Sequence, residues 1–267
     1  MLMNELDREK LRREFASAKP FPFIVIEDFL PERFAAEVAL SYPQSFDSAL
    51  SQGISFNAFN EKKKVQITDS SRFPTPIAML NDAISSPEFL ADLSYITGIP
   101  MLVADPKLIG GGMHITGPGG RLDVHLDFNY LEEERLHRRL NILIYFNEIW
   151  EKAWGGEIEL WDKDVKQRHV SLSPVFNRCV IFETSDISYH GVVPISSGAV
   201  SPRKSFAAYY YTSEAPPHWK GIAHSTIFKT RPEETMRALA HMPVQAFSAV
   251  TATFRQFKSS LKGLVGR

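Results

Sequence analysis

Residues 108–127 read Leu108-Ile-Gly-Gly-Gly-Met-His114-Ile-Thr-Gly-Pro-Gly-Gly-Arg121-Leu-Asp-Val-His125-Leu-Asp127. Two strand-like runs, Leu108 to Thr116 and Arg121 to Leu126, flank Gly117-Pro-Gly-Gly120, a cluster of residues that interrupts regular structure. The same texture continues outward to about residue 213. Short apolar runs recur at Leu140 to Phe146, Glu157 to Trp161, Arg178 to Phe182, Ser188 to Val193 and Lys204 to Tyr211, separated by Trp-Gly-Gly and Ser-Pro breaks. Many short strands with frequent turn residues predict a mainly β chain with flanking helices (α+β), built on a double-stranded β-helix core of the jelly-roll, cupin-like kind.

Three regions are expected: an N-terminal helical and strand extension over 1–100, the core over 101–215, and a C-terminal helical extension over 216–267. In the first, residues 4–15 suit a short charged helix, Phe21-Pro-Phe-Ile-Val-Ile26 a strand, and Pro31 the first turn of a helix running to about Ser41. Residues 42–72 are polar and poorly periodic, and the run Lys62-Lys63-Lys64 is expected to be a solvated loop. A helix is predicted from Ser85 or Ser86 to Thr97, with Glu88 at capping-box spacing from Ser85 and Gly98 as the stop. Thr230 and Glu233 repeat the capping spacing ahead of a tail rich in Arg255, Lys258, Lys262 and Arg267. That tail is expected to pack as a helix on the barrel or on a second subunit, giving a homodimer, rather than lie on a membrane.

With 30 basic and 31 acidic residues the formal net charge is −1, so no broad field draws the chain to nucleic acid or an anionic membrane. The single cysteine, Cys179, excludes a disulfide framework or a thiolate-rich zinc site within one chain. Its apolar setting predicts a buried thiol. The charged amino terminus lacks the apolar stretch of a secretory signal, and no later segment suits membrane insertion, so a reducing cytoplasm is the expected location.

His125 and Asp127 are two apart in an extended run, so their side chains share a face while Leu126 turns away. A lone His-x-Asp triplet carries little weight; the residues that follow it carry more. His190 lies on a later strand-like run, and two histidines with one carboxylate form the facial triad of non-haem iron(II) sites. Thirteen positions further on, Arg203 and Ser205 share another face. A guanidinium fork beside a hydroxyl matches a terminal carboxylate.

From Gly110 to about Thr212 the chain resembles the 2-oxoglutarate oxygenase superfamily, in its prolyl 4-hydroxylase-like, predicted proline hydroxylase branch. The resemblance rests on the run ending at His125-Leu-Asp127, on Leu140-Asn-Ile-Leu-Ile-Tyr145-Phe-Asn147, on Trp154-Gly-Gly-Glu-Ile-Glu-Leu-Trp161, on His190 and on Arg203-Lys-Ser205. It implies an Fe(2+) ion on His125, Asp127 and His190, with Arg203 on the far carboxylate of 2-oxoglutarate and Tyr145 donating to the same group. O2 is the co-oxidant, ascorbate the expected reductant. The implied reaction hydroxylates an unactivated C–H bond, of a prolyl residue or a small metabolite, and releases succinate and CO2. The basic residue is arginine where collagen-type members carry lysine. Asp127, not a small residue, completes the triad and favours hydroxylation over halogenation.

Asn141 shares the face of Tyr145 and is a second candidate for contact with the oxo acid, with a structural hydrogen bond as its plain alternative. Ser205 is a candidate contact beside Arg203. His114, in the strand before the metal triplet, is either a residue supporting the site or a satisfied core histidine. Leu143, Val192 and Ala207 are expected to line the interior by alternation. Asn129 to Arg139 is densely charged, a solvated loop or a lid. A non-catalytic jelly-roll module that senses a metal or a 2-oxo acid remains a competing class, as does a zinc hydrolase, although no general base for the latter is evident.

Overall fold

The computed structural model describes residues 2–105 and 107–234. It divides the chain into a unit spanning Met1–Phe228 and a second spanning Lys229–Arg267; the tail from residue 235, with the predicted basic helix, lies outside the described residues. Five α-helices occur among the described residues: α1 (Arg8–Ser17), α2 (Glu32–Leu40), α3 (Phe46–Leu50), α4 (Thr75–Ile84) and α5 (Pro87–Thr97). Asp7 caps α1 through its side chain, and Ser86 caps α5 by accepting from the Phe89 amide. Ser86 is thus the cap of α5, while Ser85 closes α4. Gly98, at φ 71°, ends α5 in the left-handed conformation expected of such a stop.

The strands are β1 (Phe23–Ile26), β2 (Ile54–Phe56), β3 (Glu61–Ile67), β4 (Val103–Ala104), β5 (Gly112–Leu126), β6 (Tyr130–Leu131) and β7 (Leu136–Tyr145). They continue with β8 (Ile158–Trp161), β9 (Arg168–Leu172), β10 (Cys179–Glu183), β11 (His190–Val192), β12 (Arg203–Thr212) and β13 (Ile227–Lys229). The main path of the antiparallel sheet runs β1-β10-β7-β12-β5-β11-β8-β9. The long β5 turns the corner of this curled sheet: Gly112 to Thr116 pair with β12, whereas Leu122 and His125 pair with β11.

The Gly117-Pro-Gly-Gly120 cluster, expected to separate two strands, lies inside this one continuous strand. It makes the corner. Against β3, the register jumps from Lys62↔Arg121 to Lys64↔Thr116, so the extra residues bulge out and bend the strand. A Cβ on Gly120 would lie 2.4 Å from the Thr116 methyl, so the bend closes only around glycine.

Two further expectations change. The lysine run is not a loop but strand β3, held between β2 and β5, because Val65 and Ile67 on alternate positions supply buried side chains to the core. Residues 129–139 are not a free loop either: β6 folds back on the start of β7 as a hairpin, with Arg135 at positive φ in its turn. Strand β9, which pairs with β8, lacks the apolar run that marked its neighbours and was not expected.

Strand alternation explains why these segments are apolar on both faces. Ile142 and Ile144 of β7, Cys179 and Ile181 of β10, and Phe206, Ala208 and Tyr210 of β12 form one core with Ile77, Leu80, Phe89 and Leu93 of α4 and α5. The intervening residues face the other way. Tyr145, Val180 and Phe182 pack with Ile158 and Leu160 in a separate interior cluster. Each such aliphatic side chain contributes about 1.5–3 kcal/mol on burial, so a one-residue slip would expose an entire row. This locked register aims His125, His190, Arg203, Ser205 and Asn141 into the interior.

Candidate metal centre and cosubstrate cavity

One cavity of about 260 Å³ is lined by His114, His125, Asp127, Arg138, Asn141, Leu143, His190, Val192, Arg203, Ser205 and Tyr209, among others. The structure thus brings to one space seven of the eight sequence-predicted site residues. The eighth, Tyr145, packs in the interior cluster with the Arg203 guanidinium 4.9 Å from its ring centre. Ala207, expected on the lining, is instead fully buried with Leu131, Tyr209 and Tyr211. Phe56, Phe128 and Phe228 give the lining an aromatic component.

His125, Asp127 and His190 are brought together as a potential metal-binding group, with one ligand atom from each lying within 4.8 Å of the others. The register places His190 directly opposite His125. The His125 Nε2 is 3.5 Å from Asp127 Oδ1, and the His190 Nε2 is 3.4 Å from Asp127 Oδ2. Each imidazole Nδ1 meets a backbone carbonyl, that of Asp123 at 2.9 Å and that of Ser188 at 3.0 Å. A carbonyl only accepts, so both Nδ1 atoms carry a proton and both Nε2 atoms face the carboxylate.

The electrostatics suit a cation. Burial alone would raise the Asp127 carboxyl, but the Arg138 guanidinium and the two imidazoles outweigh it and hold the group well below the usual carboxylate range. Burial, with the neighbouring His125, lowers His190 to about 4, so it is neutral at physiological pH. Two imidazoles and one carboxylate form a donor set that fits a divalent ion.

The Arg203 side chain is buried at 4% exposure. Its Nε donates to the Gly156 carbonyl at 2.8 Å and its Nη1 to Ser205 Oγ at 3.4 Å. None of these partners is an anion, and no described carboxylate forms an ion pair with it. Burial lowers its pKa, yet a guanidinium keeps its charge in proteins. Gly156 supports this geometry, since a Cβ there would lie 3.3 Å from Arg203 Cδ and 2.8 Å from the Trp150 ring, at a φ of +77°. The Tyr145 hydroxyl is buried beside the Arg203 guanidinium with no well-formed hydrogen bond, and burial raises its pKa, so it remains a proton donor. A buried cation and a hydroxyl side by side, with no anion between them, mark a place prepared for one.

His114 lies opposite Ser205 in the register and its Nε2 donates to the Gly110 carbonyl at 3.0 Å. Burial, with the Lys64 and Arg203 charges, holds it well below its ordinary value and therefore neutral. Asn141 is committed to the metal end. Its Nδ2 donates to Asp127 Oδ2 at 2.7 Å, and its Oδ1 accepts from Arg138 Nε and Nη2 at 3.0 and 2.8 Å.

Among the lining residues that escaped the sequence reading, Arg138 fell in the charged stretch read as a solvated loop or lid, and Lys64 in the lysine run. Lys64 pairs with Glu61 at 2.8 Å and lies 5.3 Å from the Phe56 ring centre. Simple alternation places Arg138 and Asn141, three apart, on opposite faces. The register against β12 slips between Tyr210 and Tyr211, however, so an extra β7 residue bulges there and turns both inward.

Residues 111–211 match the family model described as the 2OG-Fe(II) oxygenase superfamily. An 84-residue stretch is 33% identical to prolyl 3-hydroxylase OGFOD1 of Mus musculus, covering 30% of this chain and 15% of the mouse protein. The chain therefore matches only a small part of that relative's length. The fold is similar to that of a prolyl hydroxylase from Trichoplax adhaerens, solved in complex with a hypoxia inducible factor oxygen degradation domain peptide fragment. That likeness has a TM-score of 0.55 at 19% identity and covers 76% of this chain and 90% of the other. A Pseudomonas putida prolyl-4-hydroxylase gives 0.56 at 15% identity, over 76% and 98%. These likenesses show a jelly-roll core, as the strand pattern predicts.

Proposed function

We propose that this protein is an Fe(II)- and 2-oxoglutarate-dependent dioxygenase that hydroxylates an unactivated C–H bond and releases succinate and CO2. One observation carries the reading: a single cavity joins a triad of two imidazoles and a carboxylate to a buried arginine that lacks an anion. His125, Asp127 and His190 hold the metal, and Arg203 pairs with the far carboxylate of 2-oxoglutarate. Tyr145 and Ser205 contribute hydroxyls at that carboxylate. When bound, iron with 2-oxoglutarate and O2 supplies the oxidising chemistry. The chain itself fixes the cosubstrate's orientation and walls the reacting atoms from water with Leu143, Val192 and Phe228.

The substrate group is proposed to be a prolyl residue. Phe56, Phe128, Tyr209 and Phe228 offer aromatic surface to an apolar ring, and the charged lining residues Lys64 and Glu61 neutralise each other. The name of the mouse relative agrees with this choice. The test is aerobic turnover by pure protein supplied with iron, ascorbate, 2-oxoglutarate and proline-containing peptides. Succinate together with a peptide mass gain of one oxygen is expected, and both are absent in His190→Ala. Binding of 2-oxoglutarate with no succinate under any substrate would instead identify a sensing module.

A further inference from the structure

Asp127 is held by more than the two imidazoles. Its Oδ2 accepts from Asn141 Nδ2 at 2.7 Å and faces Arg138 Nη2 at 3.1 Å, while the same guanidinium grips Asn141 Oδ1 through Nε and Nη2. The three side chains close a triangle. The orientation of the Asn141 amide follows from its neighbours: turned over, its carbonyl would face a carboxylate and its NH2 a guanidinium.

Arg138 has little freedom to leave. Its side chain is 1% exposed. Its guanidinium carbon lies 3.5 Å from the Tyr209 ring centre and 4.6 Å from that of Phe128, so two aromatic rings hold it. Tyr209 is itself tied down by its hydroxyl, which donates to the Gly110 carbonyl at 2.7 Å. A lone buried Asp–Arg pair would be complete without Asn141. The third residue adds direction, because Asn141 donates to Oδ2, which the Arg138 guanidinium and His190 Nε2 also face, while Oδ1 accepts from neither Asn141 nor Arg138 and lies 3.5 Å from His125 Nε2.

We propose that Arg138 and Asn141 form a clamp that restricts Asp127 to one-oxygen ligation through Oδ1. This rests on the metal-site reading above and assigns Asn141 to positioning the ligand rather than to contact with the oxo acid. The clamp also offsets the carboxylate's charge, which leaves the bound ion a stronger Lewis acid than an unclamped aspartate would.

The test is Co(II) binding by the full chain, followed by its visible spectrum, for wild type, Asn141→Leu and Arg138→Met. Each variant should bind Co(II) about 10- to 100-fold more weakly. Its spectrum should change as the freed Oδ2 joins the coordination sphere. At saturating Co(II), Asn141→Leu should bind 2-oxoglutarate as wild type does. Unchanged Co(II) affinity and spectrum in Asn141→Leu would overturn the clamp. So would normal Co(II) binding with weakened 2-oxoglutarate binding, which would place Asn141 on the cosubstrate. If Arg138→Met fails to fold, Asn141→Leu decides the matter alone. Failure of wild type to bind Co(II) is a distinct result that removes the metal-site reading and the clamp together.

Discussion

At one end of the cavity Asp127 is surrounded by Arg138, Asn141 and two imidazoles, whereas at the other Arg203 meets a backbone carbonyl, the Ser205 hydroxyl and the ring of Tyr145. Both regions are buried, yet only the first balances its own charge. A buried carboxylate is affordable because a guanidinium sits beside it; a buried guanidinium without an anion is a standing cost that a ligand relieves. On the proposed function, the contrast separates a preassembled ligand set from a receptor completed by its cosubstrate. Each end can be broken without the other.

The largest effect belongs to the triad. His125→Ala, His190→Ala and Asp127→Ala are each expected to abolish Fe(II) binding in an anaerobic equilibrium titration. Next comes Arg203→Ala. Loss of a buried charge partner is worth about 2–5 kcal/mol, which corresponds to a 2-oxoglutarate requirement raised on the order of a hundredfold. Metal affinity should stay within a few-fold of wild type, and loss of iron in this variant would erase the division of labour.

Acid should act on the metal end through His190. His190 is neutral in the fold down to about 4 but titrates near 6.5 once unfolded, so the unfolded chain binds the extra proton between those values. Stability of the metal-free protein is therefore full above about 6.5 and falls as pH drops toward 4, by on the order of 3 kcal/mol from this group. His114, lowered well below its ordinary value, adds in the same direction. Thermal unfolding across this range checks the slope, and a midpoint that rises on acidification would contradict it. The smallest effect is at Tyr145→Phe. Removal of one hydroxyl hydrogen bond, about 1 kcal/mol, should weaken 2-oxoglutarate binding roughly fivefold and leave iron binding unchanged.

The metal end and the cosubstrate end were unequally legible in the sequence. Strict alternation places His125 with Asp127, and Arg203 with Ser205, wherever strands stay in register, and those pairs do share the cavity. Arg138 escaped because a bulge re-aims it, and a bulge is set by the neighbouring strand rather than by local composition. The lysine run looked like a loop because Lys62 and Lys63 are exposed, although Val65 and Ile67 beside them make it a core strand. The Gly-Pro-Gly-Gly cluster reads as a break between two strands, but it bends a single strand. Whether such a cluster ends a strand or bends one depends on the partner strand running alongside, which no local pattern reveals.

Metal and dicarboxylate are proposed to meet in one cavity. The most direct test is an anaerobic calorimetric titration of 2-oxoglutarate into the Fe(II)-loaded and the metal-free protein. One equivalent should bind the loaded chain, with affinity much reduced when either the metal or the Arg203 side chain is removed. Equal binding with and without iron, or binding indifferent to Arg203→Ala, would contradict that proposal.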